Sequence, residues 1–323
     1  MFVYLALIFN ICIAHTSRTE VFKSKNKQIK LFEHSYNSAP DEYNWCNING
    51  MSYCVKSKNQ HIPQYCGSCW AHGSLSALED RLKYIRHITN NNIMTDITLS
   101  VQHVLNCINH NKNNIIGSCY GSYIESTYEW LVENKIELSY ETSLPYLACS
   151  SDSVEGFCKY IDTTCKQINI ARTCGGFSNE AGNCTALTLY PNLRLKSYGY
   201  VKGINNMKNE IYKNGPIACG IDAIPLLNYT TGIIYDKGKS IDHIIEVVGW
   251  GKDYWIIRNS WGEYWGEFSF ARIAFGALLI DSNICVFGII ESYTAPEYNN
   301  QIHCYENGYN CKDDAQFKKN NVY

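Results

Sequence analysis

Gln60-His61-Ile62-Pro63-Gln64-Tyr65-Cys66-Gly67-Ser68-Cys69-Trp70-Ala71 is the stretch on which the reading of this chain turns. Ser68 is a helix-capping residue type, and Leu75, Leu78, Leu82 and Ile85 recur at helical spacing after it. The pattern predicts a helix from Cys69 to about Arg86 with one apolar face. A cysteine in the first turn meets unsatisfied backbone N–H groups and the positive end of the helix dipole. Both favour thiolate over thiol, and the thiolate is the nucleophile. A redox or zinc C-x-x-C pair is the alternative. Zinc needs further ligands at suitable spacing, and a thioredoxin-like pair needs a parallel βαβ context that the sequence lacks.

A thiolate nucleophile requires an imidazole, and the chain has nine histidines. His15, His34 and His303 fall in polar terminal segments, His87 and His110 in polar surroundings, and His72 and His103 inside predicted helices. His61 and His243 remain. His243 opens the apolar strand segment Ile244-Ile245-Glu246-Val247-Val248-Gly249-Trp250, so a rigid element holds its ring. Further on lies Asn259-Ser260-Trp261-Gly262. An asparagine carbonyl accepting from the imidazole N–H fixes its tautomer and direction, and an indole screens that bond.

Outward from these residues, the composition narrows the setting. The chain has 323 residues, 46% hydrophobic and 18% charged, so it can build a sizeable core and about two domains. With 28 Lys+Arg against 30 Asp+Glu, nothing suggests a nucleic-acid surface or a polybasic membrane anchor. Sixteen cysteines point to the oxidising secretory route. Residues 2–14 (FVYLALIFNICIA) are too short for a membrane span and suit a signal peptide cleaved after Ala14. Asn183-Cys184-Thr185 and Asn228-Tyr229-Thr230 are glycosylation sequons. Removal of Cys12 leaves 15 cysteines, an odd number that requires a free thiol or an intermolecular bond.

Residues 15–40 read as a short pro-segment, and residues 41–187 as an α-rich lobe with further helices at Ser100–Cys107 and Ile124–Asn134. Residues 188–295 read as a β-rich lobe. Its strand segments are Tyr198–Gly203, Pro216–Ala223, His243–Trp250, Tyr254–Asn259, Glu267–Ile273 and Val286–Tyr293, with one helix at Met207–Tyr212. Residues 296–323 form a polar extension. A cleft is expected between the lobes.

On the Cys66–Trp70 motif, His243 and Asn259-Ser260-Trp261, the chain resembles the papain-family cysteine proteases from about Trp45 to Tyr293. Asn59–Ala71, Asn214–Ile221, Asn228–Tyr235 and Tyr254–Gly266 carry the resemblance most strongly. Within the family it is similar to the cathepsin X (cathepsin Z) group, which is set apart by a His-Ile-Pro insertion, here His61-Ile62-Pro63. The resemblance implies an α+β, two-lobe papain-like fold with a helical N-terminal lobe, a β-barrel-like C-terminal lobe and the active-site cleft between them. It implies Cys69 as nucleophile, His243 as general base and acid, and Asn259 as the residue that orients it. Gln60 is the implied oxyanion donor together with the Cys69 backbone N–H, and Gln64 is the alternative. Trp261 is implied to roof the leaving-group side. His61, supported by Tyr65, is implied to bind the substrate's terminal carboxylate, a charge-assisted contact that forms when the imidazole is protonated.

The resemblance also implies disulfides Cys66–Cys119, Cys107–Cys158, Cys149–Cys165 and Cys174–Cys184. Cys46–Cys54 and Cys304–Cys311 are proposed from proximity in sequence. Cys219–Cys285 is what remains, with Cys285 several residues before the family's usual partner position. Seven pairs leave Cys69 free. Two departures stand out. The family's Gly-Gly pair along the substrate edge is Gly121-Ser122 here, so a Cβ at Ser122 is expected to restrict that subsite. The cysteine with which the family's pro-segment masks the nucleophile has no counterpart in residues 15–44.

These readings converge on a cysteine-type carboxypeptidase working by thiolate acyl transfer, without metal or organic cofactor. The rivals are an endopeptidase or dipeptidyl-type protease of the same chemistry, and an inactive papain-fold binding protein. Expected partners are peptides and proteins with a free C-terminus and cystatin-type inhibitors, with no nucleic acid and no membrane span, and the chain is expected to be a monomer. The expected location is a lysosome-like acidic compartment or the medium.

Overall fold

The computed structural model describes residues 20–22, 29–33, 39–89, 94–177, 182–295 and 302–312. The signal-peptide expectation for residues 1–14 lies outside the described residues.

Four α-helices are present among the described residues: α1 (Cys69–Thr89), α2 (Val101–Cys107), α3 (Ser126–Glu133) and α4 (Ile204–Asn214). α1 begins where the sequence places it, but Ser68 uses its backbone carbonyl, not its hydroxyl, on the first turn. The carbonyl accepts from the Ala71 and His72 amides at 3.0 Å. The hydroxyl pairs with Tyr146 Oη at 2.7 Å and His72 Nδ1 at 3.1 Å. Leu75, Leu78 and Leu82 are buried as the periodicity predicts, each contributing about 1.5–3 kcal/mol of apolar burial. The opposite face is buried too, and there Glu79, Asp80 and Arg81 find charged or backbone partners. In α2, Ser100 is the N-cap, and its hydroxyl accepts from the His103 amide at 3.1 Å.

Among the described residues nine strands form one mixed sheet: β1 (Tyr43–Asn44), β2 (Leu138–Ser139), β3 (Asn192–Val201), β4 (Ile217–Ile221), β5 (Ile233–Ile234), β6 (His243–Trp250), β7 (Tyr254–Arg258), β8 (Phe270–Ala274) and β9 (Cys285–Tyr293). The spatial order is β2-β3-β9-β4-β6-β7-β8-β5, with β1 pairing β6. Only the β8–β5 pair is parallel among the described residues. Among the described residues the sheet ends at β2 on one side and β5 on the other, so the barrel-like lobe is an open sheet. β3 starts at Asn192, earlier than predicted, because Leu193 and Leu195 already alternate inward. β8 starts later than predicted because Phe268 and Ser269 have positive φ, which breaks the extended run.

One apolar core joins α1, α2 and α3 to the near face of the sheet, and a second fills the space between the sheet, α4 and Trp45. α1 lies against β6. A Cβ on Gly73 would come 3.0 Å from Ile244 Cγ2 and 3.3 Å from the Ile245 backbone, so glycine here permits that close approach. Residues 302–312 dock on the 171–190 stretch, where Cys311 O accepts from the Thr188 and Leu189 amides.

Among the described residues seven disulfides form, and Cys69 is the free cysteine. Five pair as expected, including Cys219–Cys285, which face each other in register on β4 and β9. Two are exchanged relative to expectation. The chain after Cys149 folds back through turns at Ser150–Ser153 and Glu155–Cys158, bringing Cys158 to Cys149 at a Cα separation of 5.4 Å. Cys165 then reaches Cys107 at the end of α2, 4.8 Å away, where Asn106 Nδ2 donates to Asn169 O.

Candidate active site

Three elements meet at one point. Cys69 starts α1, His243 starts β6, and Asn259 follows β7, which is hydrogen-bonded to β6. His243 Nε2 faces Asn259 Oδ1 at 2.8 Å. With Nε2–H donating there, Nδ1 is turned toward the thiol. The ligand atoms of Cys69, His243 and Glu20 all lie within 4.8 Å of one another. The Trp261 ring lies 5.0 Å from the His243 ring.

Gln60 and Gln64 separate cleanly. The backbone at Asn59 and Gln60 pairs with Ser260 and Trp261, and the Gln60 amide donates to Ser260 O at 2.7 Å. Ser260 Oγ donates to Gln60 Oε1 at 2.6 Å, which turns the Gln60 amide nitrogen toward the reacting groups. Gln64 points away, with its Nε2 near Cys158 Sγ and Ala148 O. Ser260 was not singled out from sequence, although it sits inside the Asn259–Gly262 motif.

His61 is half-buried, stacked at 5.1 Å on Tyr65 and 6.2 Å from Trp261, and its Nε2 has no hydrogen-bond partner. Burial lowers its pKa below the usual histidine value, the His243 charge acts the same way, and Glu20 opposes both. The charge expected on His61 at mildly acidic pH is therefore reached only at lower pH than an exposed histidine requires.

The Ser122 side chain is buried, its Oγ donating to Ile116 O at 2.5 Å, and its backbone pairs with Gly117.

Glu20 is the residue for which the sequence carried no signal. Its Oε2 accepts from Gln60 Nε2 at 3.1 Å and lies 3.5 Å from His243 Nδ1, and its Oε1 accepts from Tyr65 Oη at 2.5 Å. Burial opposes its charge, but the hydrogen bond and charge of His243, with Tyr65 and Gln60, outweigh that and hold the carboxyl at about 2. Cys69 moves the other way: burial and then the Glu20 charge push its thiol well up, outweighing the favourable backbone contacts. The thiolate expected from the helix terminus is thus disfavoured while Glu20 is in place. Glu20, Cys69 and His243 are the one cluster of metal-ligating types among the described residues.

Asn183 and Asn228 are both exposed. No helix among the described residues is long and apolar enough to cross a membrane.

Residues 39–290 match the family described as Papain family cysteine protease. The chain is 37% identical over 270 residues to cathepsin Z of Onchocerca volvulus, an alignment covering 81% of this chain and 79% of that one. In three dimensions it resembles digestive procathepsin L2 proteinase of Tenebrio molitor, with a TM-score of 0.60 and 21% identity over 84% of this chain and 78% of that one. It likewise resembles procathepsin B S9 of Trypanosoma congolense, with a TM-score of 0.60 and 18% identity over 85% and 87% of the two chains.

Proposed function

This chain belongs to the papain family of cysteine proteases, and on that footing we propose that it is a carboxypeptidase that removes residues from the C-termini of peptides. The observation that carries this reading is a carboxylate seated in the cleft. Glu20 rests on Tyr65 Oη beside His61, whose Nε2 is buried and unpartnered. A site that hydrogen-bonds a carboxylate discriminates strongly for a free chain end, because an amide leaves its donors unpaired. The His61 ring stands 6.2 Å from that of Trp261, which this reading takes to roof the side of the leaving residue.

In the proposed reaction the Cys69 thiolate attacks the last peptide carbonyl. The developing oxyanion is met by Gln60 Nε2 and the Cys69 amide, groups that need no reorganisation because Ser260 already holds the glutamine. His243, oriented by Asn259, gives its proton to the leaving amine, and an acyl-enzyme remains. Water, deprotonated by His243, then releases the shortened peptide. Tyr65 and His61 hold the carboxylate of the departing residue.

The same reading takes in a secreted or lysosome-like destination, supported by seven disulfides, and glycans on exposed Asn183 and Asn228. It further takes the active unit to be a monomer of two lobes, open to cystatin-type inhibitors.

The test is one peptide in free-acid and C-terminally amidated forms, sampled by mass spectrometry at about pH 5 with reductant. The preparation is one whose Cys69 has been shown to alkylate. Loss of single residues from the free acid alone is expected. Internal cuts in both forms identify an endopeptidase, and no cleavage by a thiol-reactive preparation overturns the peptidase reading.

A further inference from the structure

We infer that Tyr146 is a positioning residue for the oxyanion site: its hydroxyl ties together the two chain segments that carry the oxyanion donors, Gln60 and the Cys69 amide. The inference rests on the assignment of those two donors under the proposed function, but not on the exopeptidase specificity.

The two donors are not neighbours along the chain. Residues 61–68 lie between Gln60 and Cys69 and include the His61–Pro63 loop. One end of Gln60 is fixed by Ser260, which accepts from its backbone amide and donates to its Oε1. Tyr146 holds the backbone carbonyl of the same residue. Its Oη donates to Gln60 O at 2.8 Å and lies 2.7 Å from Ser68 Oγ. Ser68 directly precedes Cys69. One hydroxyl therefore joins the residue before the loop to the residue after it.

Every proton in this bridge follows from what each group is able to do. A carbonyl only accepts, so the Tyr146 O–H points to Gln60 O. The single phenolic proton is then committed, and the Ser68 O–H donates to Tyr146 Oη. His72 Nδ1 lies 3.1 Å from both Ser68 Oγ and Ser68 O. Neither offers it a proton, so Nδ1 carries the hydrogen. Burial, with Lys58 acting the same way, lowers the His72 pKa to about 3, and the ring is neutral. Burial raises the Tyr146 hydroxyl above the ordinary tyrosine value, so it keeps its proton. The result is a directed chain that runs from His72 through Ser68 and Tyr146 to Gln60.

Tyr146 can act as an anchor because its own loop is held on both sides of it. Ser100, the N-cap of α2, donates through Oγ to Leu144 O at 2.8 Å. Gln102 Oε1 accepts from the Leu147 amide at 2.9 Å, and Gln102 Nε2 donates to Cys149 O at 2.7 Å. The Tyr146 ring also meets His72 edge-on at 4.8 Å. The start of α2 thus places the tyrosine, and the tyrosine places Gln60. An oxyanion donor is effective because it is already aimed when charge develops. A Gln60 backbone released on this side carries its side-chain amide with it, away from the Cys69 amide that shares the load.

The test compares Tyr146→Phe and Ser68→Ala, each lacking one link of the chain, with the natural enzyme on a peptide that the natural enzyme cuts. All preparations are ones whose Cys69 alkylates and whose thermal melting shows them folded. We expect kcat and kcat/KM to fall by the same factor, about 10- to 100-fold, short of the roughly 10²–10³-fold loss when an oxyanion donor is deleted. Iodoacetamide alkylation of Cys69 builds no oxyanion, so its rate is expected to match that of the natural enzyme in both variants. Because Tyr146 acts through Gln60, adding Tyr146→Phe to Gln60→Ala is expected to cost little more than Gln60→Ala alone.

An unchanged kcat in Tyr146→Phe overturns the inference. So does alkylation slowed as much as turnover, which would place the loss in the thiol–imidazole pair, and so do losses in Tyr146→Phe and Gln60→Ala that multiply. A Gln60→Ala enzyme as active as the natural one overturns the oxyanion assignment itself. An impaired Gln60→Ala beside an unimpaired Tyr146→Phe overturns the role of Tyr146 alone.

Discussion

Arg258 and Glu246 meet across β7 and β6 at 2.6 Å, buried directly behind the reacting groups. Asp80 of α1 joins the same guanidinium at 2.9 Å, and Arg258 Nη1 donates to Val55 O. Each arm of this cluster belongs to an element that carries a member of the site. α1 presents Cys69, β6 presents His243, and Arg258 immediately precedes Asn259. The cluster therefore ties the three elements together where their geometry matters.

Arg258→Met leaves two buried carboxyl groups without their cation, and we expect it to lower stability by about 3–5 kcal/mol. Arg258→Lys recovers part of this only, because an ammonium cannot make the forked contacts of a guanidinium. Urea unfolding followed by tryptophan fluorescence measures both. A loss in Arg258→Met no larger than that of an exposed ion pair would sink the prediction.

Glu246 supplies a pH signature. Burial, and then the neighbouring Asp80, raise its pKa well above the usual carboxyl value despite Arg258. A carboxyl whose folded pKa is raised stabilises fully below its unfolded pKa and loses that contribution as pH climbs through the folded one. Glu246→Gln is neutral throughout, so its melting temperature should gain on that of the natural protein as pH rises from 5 to 8. A constant difference between the two across that range would contradict the assignment.

Asn259→Ala removes the acceptor that orients His243 at 2.8 Å. A misplaced base costs about 10²-fold in rate, so we expect kcat to fall by roughly that factor while KM moves little. Steady-state kinetics on the thiol-reactive enzyme decides it, and a rise in KM at unchanged kcat would assign Asn259 to substrate binding instead.

Gln60→Ala should lower kcat by about 10²–10³-fold, the usual effect of removing one oxyanion donor. Gln64→Ala should leave kcat where it was, since that side chain is turned toward Cys158. Comparable losses in the two variants would remove the distinction drawn between them.

Tyr65→Phe deletes the hydroxyl that grips a carboxylate in this cleft. A hydrogen bond to a charged group contributes about 1.5–3 kcal/mol, so kcat/KM on free-acid peptides should drop by roughly 10- to 100-fold. Amidated peptides should not discriminate between Tyr65→Phe and the natural enzyme. Equal losses on both substrates would place Tyr65 outside terminus recognition.

Much of this protein was legible locally. α1 announced itself through Leu75, Leu78 and Leu82 at helical spacing, α2 through its Ser100 cap, and β6 through the Ile244-Ile245 and Val247-Val248 pairs, interrupted only by Glu246. The Cys66–Trp70 motif points to Cys69 as the candidate nucleophile, and cysteine parity agrees in leaving it unpaired among the described residues. Such signals are written in consecutive residues because helix periodicity, caps and a thiol at a helix terminus act over a few positions.

Other features existed only once the chain had folded. The exchange of partners among Cys107, Cys149, Cys158 and Cys165 depends on which Cα atoms the turns at 150–158 bring within bonding reach. The Asp80–Glu246–Arg258 cluster joins α1 to the distant β6–β7 pair, and the choice of Gln60 over Gln64 required Ser260, 200 residues away. Glu20 is the clearest case, one carboxylate in a polar segment with no periodicity and no motif around it. Sequence alone determined the reacting residue types and the elements that bear them, because those follow from short-range forces. Tertiary structure decided what surrounds them, because burial and electrostatics depend on distance in space: burial first, and then the Glu20 anion, raise the pKa of the Cys69 thiol.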